Sequence, residues 1–136
     1  MNKHKTPRVL IIAGSDSSGG AGIQADIKTL TVFKVFSMTA ITAITAQNTN
    51  GVSSVESVSI DLIKKQIEDC ISDIGVDAIK IGMVNKGEIF DLIFESLKKY
   101  EIIKKDIPII LDPVMFAKGG FPLLEGQAIS ALKEFI

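Results

Sequence analysis

Cysteine and histidine are nearly absent from the sequence, which has one of each, Cys70 and His4. A single cysteine makes no intrachain disulfide and fits a reducing compartment. His4 sits in the N-terminal tail and is not a credible ligand or base. No His/Cys/Asp cluster has metal-ligand spacing, so no metal site is expected from motifs. An excess of charge is also missing: 15 basic and 16 acidic residues give a formal net charge of -1. That balance offers no basic footprint for nucleic acid. Lys98, Lys99, Lys104 and Lys105 sit among acids and read as solvated surface. No apolar run approaches the roughly 20 residues of a membrane span. The opening MNKHKTPRV is basic but lacks an apolar stretch before a cleavage site, so a secretory signal is not expected there. A cytoplasmic chain is expected, without nucleic-acid or membrane partners. There is no internal repeat, low-complexity segment or linker.

What is present is a globular pattern. The 136 residues are 46% hydrophobic, enough for one domain with a real core. Val9 to Gly14 is a continuous apolar run, as in a strand buried on both faces. Ala21 to about Phe36 reads as a helix with Ile23, Ile27, Leu30 and Lys34 at helical spacing. Met38 to Ala46 suits a second strand, and QNTNG is a turn by composition. Val52 to Val58 alternates loosely, as a short edge strand does. Ser59 looks like an N-cap before the apolar stripe Ile60, Ile63, Ile67, Cys70, Ile71 and Ile74, and Gly75 is a helix stop. A strand over Ala78–Val84, a helix over Glu88–Tyr100 and a strand over Pro108–Val114 follow. The Gly119–Gly120 loop and a helix from about Leu123 to Ile136 come last. Such alternation predicts an α/β fold, a mostly parallel sheet with helices on both faces.

The stretch GSDSSGGAG, Gly14 to Gly22, falls between the first strand and the first helix. Ligands of parallel sheets bind at strand carboxyl ends, and the first amides of a helix attract negative charge. Two familiar phosphate motifs fail, however. Gly20 stands where a P-loop needs lysine, and GxGxxG does not occur in this stretch. A ligand loop and a sharp turn capped by Asp16, Ser17 or Ser18 remain equally open.

AGSDSSGGAGIQADIKT resembles the opening motif of the hydroxymethylpyrimidine and phosphomethylpyrimidine kinases of thiamine biosynthesis. ITAITAQNTNGV, AIKIGMV and LDPVMFAKGG follow in that family's order and at family-like spacing. The four motifs span Val9 to about Leu124. The resemblance implies a ribokinase-like three-layer sandwich. It also implies ATP and Mg2+ as cofactors and a small pyrimidine as substrate. Family members are longer, and their second half carries most of the nucleotide site with a Gly-Thr-Gly-Cys or Gly-Thr-Gly-Asp motif. This chain has no Gly-Thr-Gly. Residues 1–136 therefore resemble the substrate-binding N-terminal half of a single ribokinase-like domain, truncated relative to the family, with no catalytic residue of its own.

Residue by residue, the resemblance aligns Asp26 with the group that binds the substrate's hydroxymethyl. A carboxylate one turn into a helix also has a dipole reason to be there. Gln47 ends a strand and offers one acceptor and two donors, which match an aminopyrimidine edge. Its alternative is a loop glutamine capping the NTNG turn. Gly14 and Ala21 would let a ring or hydroxymethyl group lie on the backbone, or serve turn geometry alone. Met83 and Val114 are candidate ring walls, though a strand methionine is more often core. Asp112 and Lys118 would lie near the phosphates or their metal, or be solvated loop charges. Lys80, inside an apolar strand, needs a partner or an exposed tip and receives no role. Cys70 reads as core.

The resemblance implies phosphorylation of 4-amino-5-hydroxymethyl-2-methylpyrimidine and of its monophosphate. A pyridoxine or pyridoxal kinase and a non-catalytic pyrimidine-binding or assembly fragment are the alternatives. The 136 residues alone are expected to lack kinase activity. A strand edge left without the second half favours a homo-oligomer.

Overall fold

In a computed structural model of the chain, which describes residues 6–116 and Gly120, Leu10, Ile11, Ile12 and Ala13 are all buried. Four consecutive buried apolar residues require a strand covered on both faces. This is β1 (Arg8–Asp16), and it lies at the centre of the sheet. The remaining elements are α1 (Gly22–Val32), β2 (Phe36–Gln47), β3 (Val52–Ser57), α2 (Ile60–Asp69), β4 (Ala78–Ile81), α3 (Gly87–Lys99) and β5 (Ile109–Leu111). The sheet order is β3-β2-β1-β4-β5. All neighbours are parallel except β3, which returns antiparallel along β2 after the short 48–51 turn.

Strand alternation sorts the core into two layers. Leu10 and Ile12 join Ile79 and Ile81 of β4 against Ile63 and Ile67 of α2 and Ile89, Ile93 and Leu97 of α3. Ile11 and Ala13 face the other way, onto Ile23 and Leu30 of α1. Helices thus cover both faces, as the alternation predicts. Each such aliphatic side chain contributes roughly 1.5–3 kcal/mol by leaving water.

Local signals explain most of the element ends. The Ser59 hydroxyl accepts the Leu62 amide at 3.3 Å and starts α2. The predicted stripe packs inward, with Ile63 and Ile67 buried and Ile60, Cys70, Ile71 and Ile74 half-buried against the same layer. After Asp69 the helix widens into a π-helical turn, Cys70–Ile74, which the Gly75 amide closes on the Cys70 carbonyl at 3.1 Å. Gly75 adopts φ 76° there.

β1 and β2 run slightly beyond their expected ends, and three other boundaries fall short. α1 stops at Val32 and does not reach Phe36, because Lys34 turns at φ 58° to bring β2 alongside β1. The Phe36 amide then donates to the Pro7 carbonyl at 2.8 Å, and Val32 and Phe33 are left exposed. β4 ends at Ile81, not Val84, although the Gly82 amide still reaches the Ile12 carbonyl at 2.9 Å. β5 pairs only over Ile109–Leu111, short of the expected Pro108–Val114. The helix expected from Leu123 to Ile136 lies outside the described residues. Among the described residues, no helix is long and apolar enough to cross a membrane.

Candidate functional site

The chain leaves β1 in opposite directions: through α1 to β2 on one side, and later to β4 on the other. Open α/β sheets bind ligands at such a reversal, outside the strand carboxyl ends. The Gly14–Gly22 segment lies there. β1 shifts register between Ala13 and Ser15, then runs on to Asp16.

The buried Asp16 carboxylate turns back into the loop that follows it. It accepts the amides of Ser18 at 2.8 Å, Gly20 at 3.1 Å and Ala21 at 2.8 Å, and the Ser18 hydroxyl at 2.7 and 2.9 Å. Burial alone would push this carboxyl up. The Ser18 hydroxyl and the amides of Ser18, Ala21 and Gly20 outweigh it and hold the carboxyl below its ordinary 3.8. For these three amides the capped-turn reading is the one observed, with Asp16 as the cap, so they are not offered to a ligand. Gln24 secures the other side: its Oε1 accepts the Asp16 amide at 2.9 Å and its Nε2 donates to the Ser15 hydroxyl at 2.7 Å. Gly22 at φ 57° is obligatory, since a Cβ there would lie 2.3 Å from the Gly14 carbonyl oxygen.

Beside this loop opens a cavity of about 320 Å³. Gly14, Ala21, Asp26, Gln47, Met83, Asp112 and Val114 all line it, so the residues expected at the site come together. Lys118, expected with them, lies outside the described residues. The Gln47 main chain is pinned by Ser17, whose hydroxyl accepts the Gln47 amide at 2.8 Å and donates to its carbonyl at 2.9 Å. The Thr45 hydroxyl reaches Gln47 Oε1 at 3.3 Å and the Ser15 carbonyl at 3.0 Å. Met83 is buried and also lines the cavity, serving as core and wall together. Its Cε sits 3.0 Å from where a Gly14 Cβ would be. Gly14 therefore makes room for Met83.

Asp26 lies past the first turn of α1, which carries no acidic residue, so the expected helix-terminus reason for it does not hold and its partner comes from another element. Lys80 of β4 donates to both its carboxylate oxygens, at 2.7 and 2.9 Å, and lies 4.0 Å from Asp112. Lys80 was the residue without a role in the sequence. The signal was there, a lone lysine in AIKIG, but its partner lies 54 residues earlier. Thr45, Gly82 and Phe116 also line the cavity and were not singled out. Among the described residues, no group of three or more His, Cys, Asp or Glu could hold a metal ion.

The chain is similar to known proteins over nearly all of its length. The family model described as phosphomethylpyrimidine kinase matches residues 16–136. The hydroxymethylpyrimidine/phosphomethylpyrimidine kinase of Haemophilus influenzae is 47% identical over 127 residues, covering 93% of this chain and 46% of that protein. The crystal structure of phosphomethylpyrimidine kinase from Clostridium difficile superposes with a TM-score of 0.80 at 50% identity, over 94% of this chain and 53% of that one. The Staphylococcus aureus pyridoxal kinase in complex with pyridoxal gives 0.80 at 34% identity, over 97% and 47%. Further structures of that enzyme hold AMP-PCP or ADP. The chain spans about half the length of the curated relatives it matches. The fold is ribokinase-like, and the matched residues take in the loop cap, Asp26, Gln47, Lys80 and Asp112. On that match, and on the cavity those residues build, the chain belongs to the phosphomethylpyrimidine kinase family.

Proposed function

We propose that this chain supplies the pyrimidine-binding half of an ATP-dependent kinase. That kinase phosphorylates 4-amino-5-hydroxymethyl-2-methylpyrimidine, and then its monophosphate, in thiamine biosynthesis. One observation carries the reading: a carboxamide, Gln47, and a carboxylate, Asp26, line a single cavity at the strand ends. An aminopyrimidine presents a ring-nitrogen acceptor beside an amino donor, and one carboxamide pairs with both. Asp26 accepts a hydrogen bond from the substrate hydroxyl and holds its oxygen in place. Met83 and Val114 give the ring apolar walls.

Phosphoryl transfer depends on positioning and on stabilising charge at the transferred group. In this reading the described residues serve the first need: they bind the ring, orient the hydroxyl and exclude water from the wall side. Asp112 is more than half exposed. A single open carboxylate fits a magnesium ion that arrives on nucleotide phosphates and keeps several waters. When bound, that ion neutralises phosphate charge.

The test is calorimetric titration of the chain with the hydroxymethylpyrimidine and with pyridoxal, repeated on Gln47→Ala. Tighter binding of the pyrimidine, weakened by the substitution, is the expected result. Tighter binding of pyridoxal overturns the pyrimidine assignment in favour of a pyridoxal-type substrate.

A further inference from the structure

We infer that Lys80 is the specificity residue that lets one pocket take both a neutral alcohol and its phosphate monoester. The inference rests on the functional reading above, in which both are substrates. Lys80 is the register partner of Ile11 on one side and Ile110 on the other. Its neighbours Ile79 and Ile81 are fully buried in the layer under α2 and α3. Alternation therefore sends the lysine stem toward α1, where its ammonium meets Asp26. Space is kept for that ammonium by Gly82, where a Cβ would stand 3.3 Å from Nζ.

Charge balance in the cavity makes the position consequential. Three carboxylates line it, those of Asp16, Asp26 and Asp112, and Lys80 is the one cation among the described lining residues. Asp16 is satisfied by its own loop. Asp26 and Asp112 are left to share Lys80, at 2.7 and 4.0 Å. An alcohol adds no charge, so Asp26 accepts its hydroxyl while remaining paired with the lysine. A monoester brings a charge of about −1.5 to −2 at neutral pH. Asp26 repels that group unless a cation stands between them. A lysine ammonium has three donors on a flexible stem, so Lys80 bridges Asp26 and the incoming phosphate together. Lys80 acts through charge and position; it takes no bond-making part.

The experiment measures the affinity of the intact chain for the hydroxymethylpyrimidine and for its monophosphate by calorimetry. Lys80→Gln, Lys80→Arg and Asp26→Asn are compared with the parent. In Lys80→Gln the ratio of monophosphate to alcohol affinity falls about 10- to 100-fold, the range of a charge-assisted hydrogen bond. Lys80→Arg restores most of that ratio. Asp26→Asn raises it, because the lysine loses its competing carboxylate, and this opposite sign carries the test if Lys80→Gln fails to fold. Equal losses for both ligands in Lys80→Gln, or a lower ratio in Asp26→Asn, overturn the inference and leave Lys80 a structural ion pair. Parent chain that binds the alcohol but not the monophosphate overturns it too, with the functional reading intact. Parent chain that binds neither overturns that reading and the inference with it.

Discussion

Replacing Asp16 by alanine tests how the Gly14–Gly22 loop is held. The carboxylate accepts three amides and one hydroxyl, and the side chain is buried. Charge-assisted bonds contribute about 1.5–3 kcal/mol each, but they do not add, because an opened loop lets water replace part of them. Loss of a simple helix cap costs about 0.5–2 kcal/mol. The expected loss for Asp16→Ala lies between these bounds, about 2–4 kcal/mol. For a domain of this size that lowers Tm by roughly 10 °C. Urea and thermal unfolding followed by circular dichroism read it out. The pH dependence adds a second check. The folded-state carboxyl lies below its ordinary 3.8, so its contribution is fully present above that value. It is lost as pH falls through the depressed folded-state value. The gap between parent and Asp16→Ala must therefore shrink below about pH 3.8 and stay constant above it. A loss under about 1 kcal/mol at neutral pH, or a gap that does not change on acidification, refutes the capping argument.

Other outcomes follow from the same geometry. Gln47→Ala should weaken hydroxymethylpyrimidine binding about 10- to 100-fold by calorimetry, since an unpaired amide edge costs about 1–3 kcal/mol; unchanged affinity removes Gln47 from ring recognition. Gly22→Ala should destabilise the chain by more than about 2 kcal/mol in urea melts, because a Cβ meets the Gly14 carbonyl and φ is positive. Cys70 should react slowly with a thiol reagent at pH 7–8 in the native chain and rapidly in denaturant, because burial, followed by the Asp69 charge, pushes the thiol up; equal rates contradict that.

The motif at the first strand-to-helix turn was readable because small residues and one aspartate are concentrated there. Which partner Asp16 takes was not readable, since a loop carboxylate suits a cap or a ligand equally well. The early end of α1 was hidden for a local reason: the run TVFKVF stays apolar, and only the positive φ of Lys34 shows where the chain turns. Lys80 could be seen as odd but not explained. Its partner on α1 comes into reach only once β4 has inserted beside β1, and local periodicity says nothing about pairing across that distance. β3 was legible as a short edge strand from its alternation, and its antiparallel direction follows from the brevity of the 48–51 turn.

The walls of the cavity come from stretches as far apart as Gly14, Gln47, Lys80 and Asp112. An unfolded chain cannot bring them together. Any molecule held between them then acts as a reversible cross-link whose strength is set by its concentration. At 100 times its Kd such a molecule adds about 2.7 kcal/mol to the folded state, a large share of a small domain's total stability. Proteolysis of the opened chain would slow in proportion, so the cellular lifetime of this protein would track the supply of whatever fills the pocket.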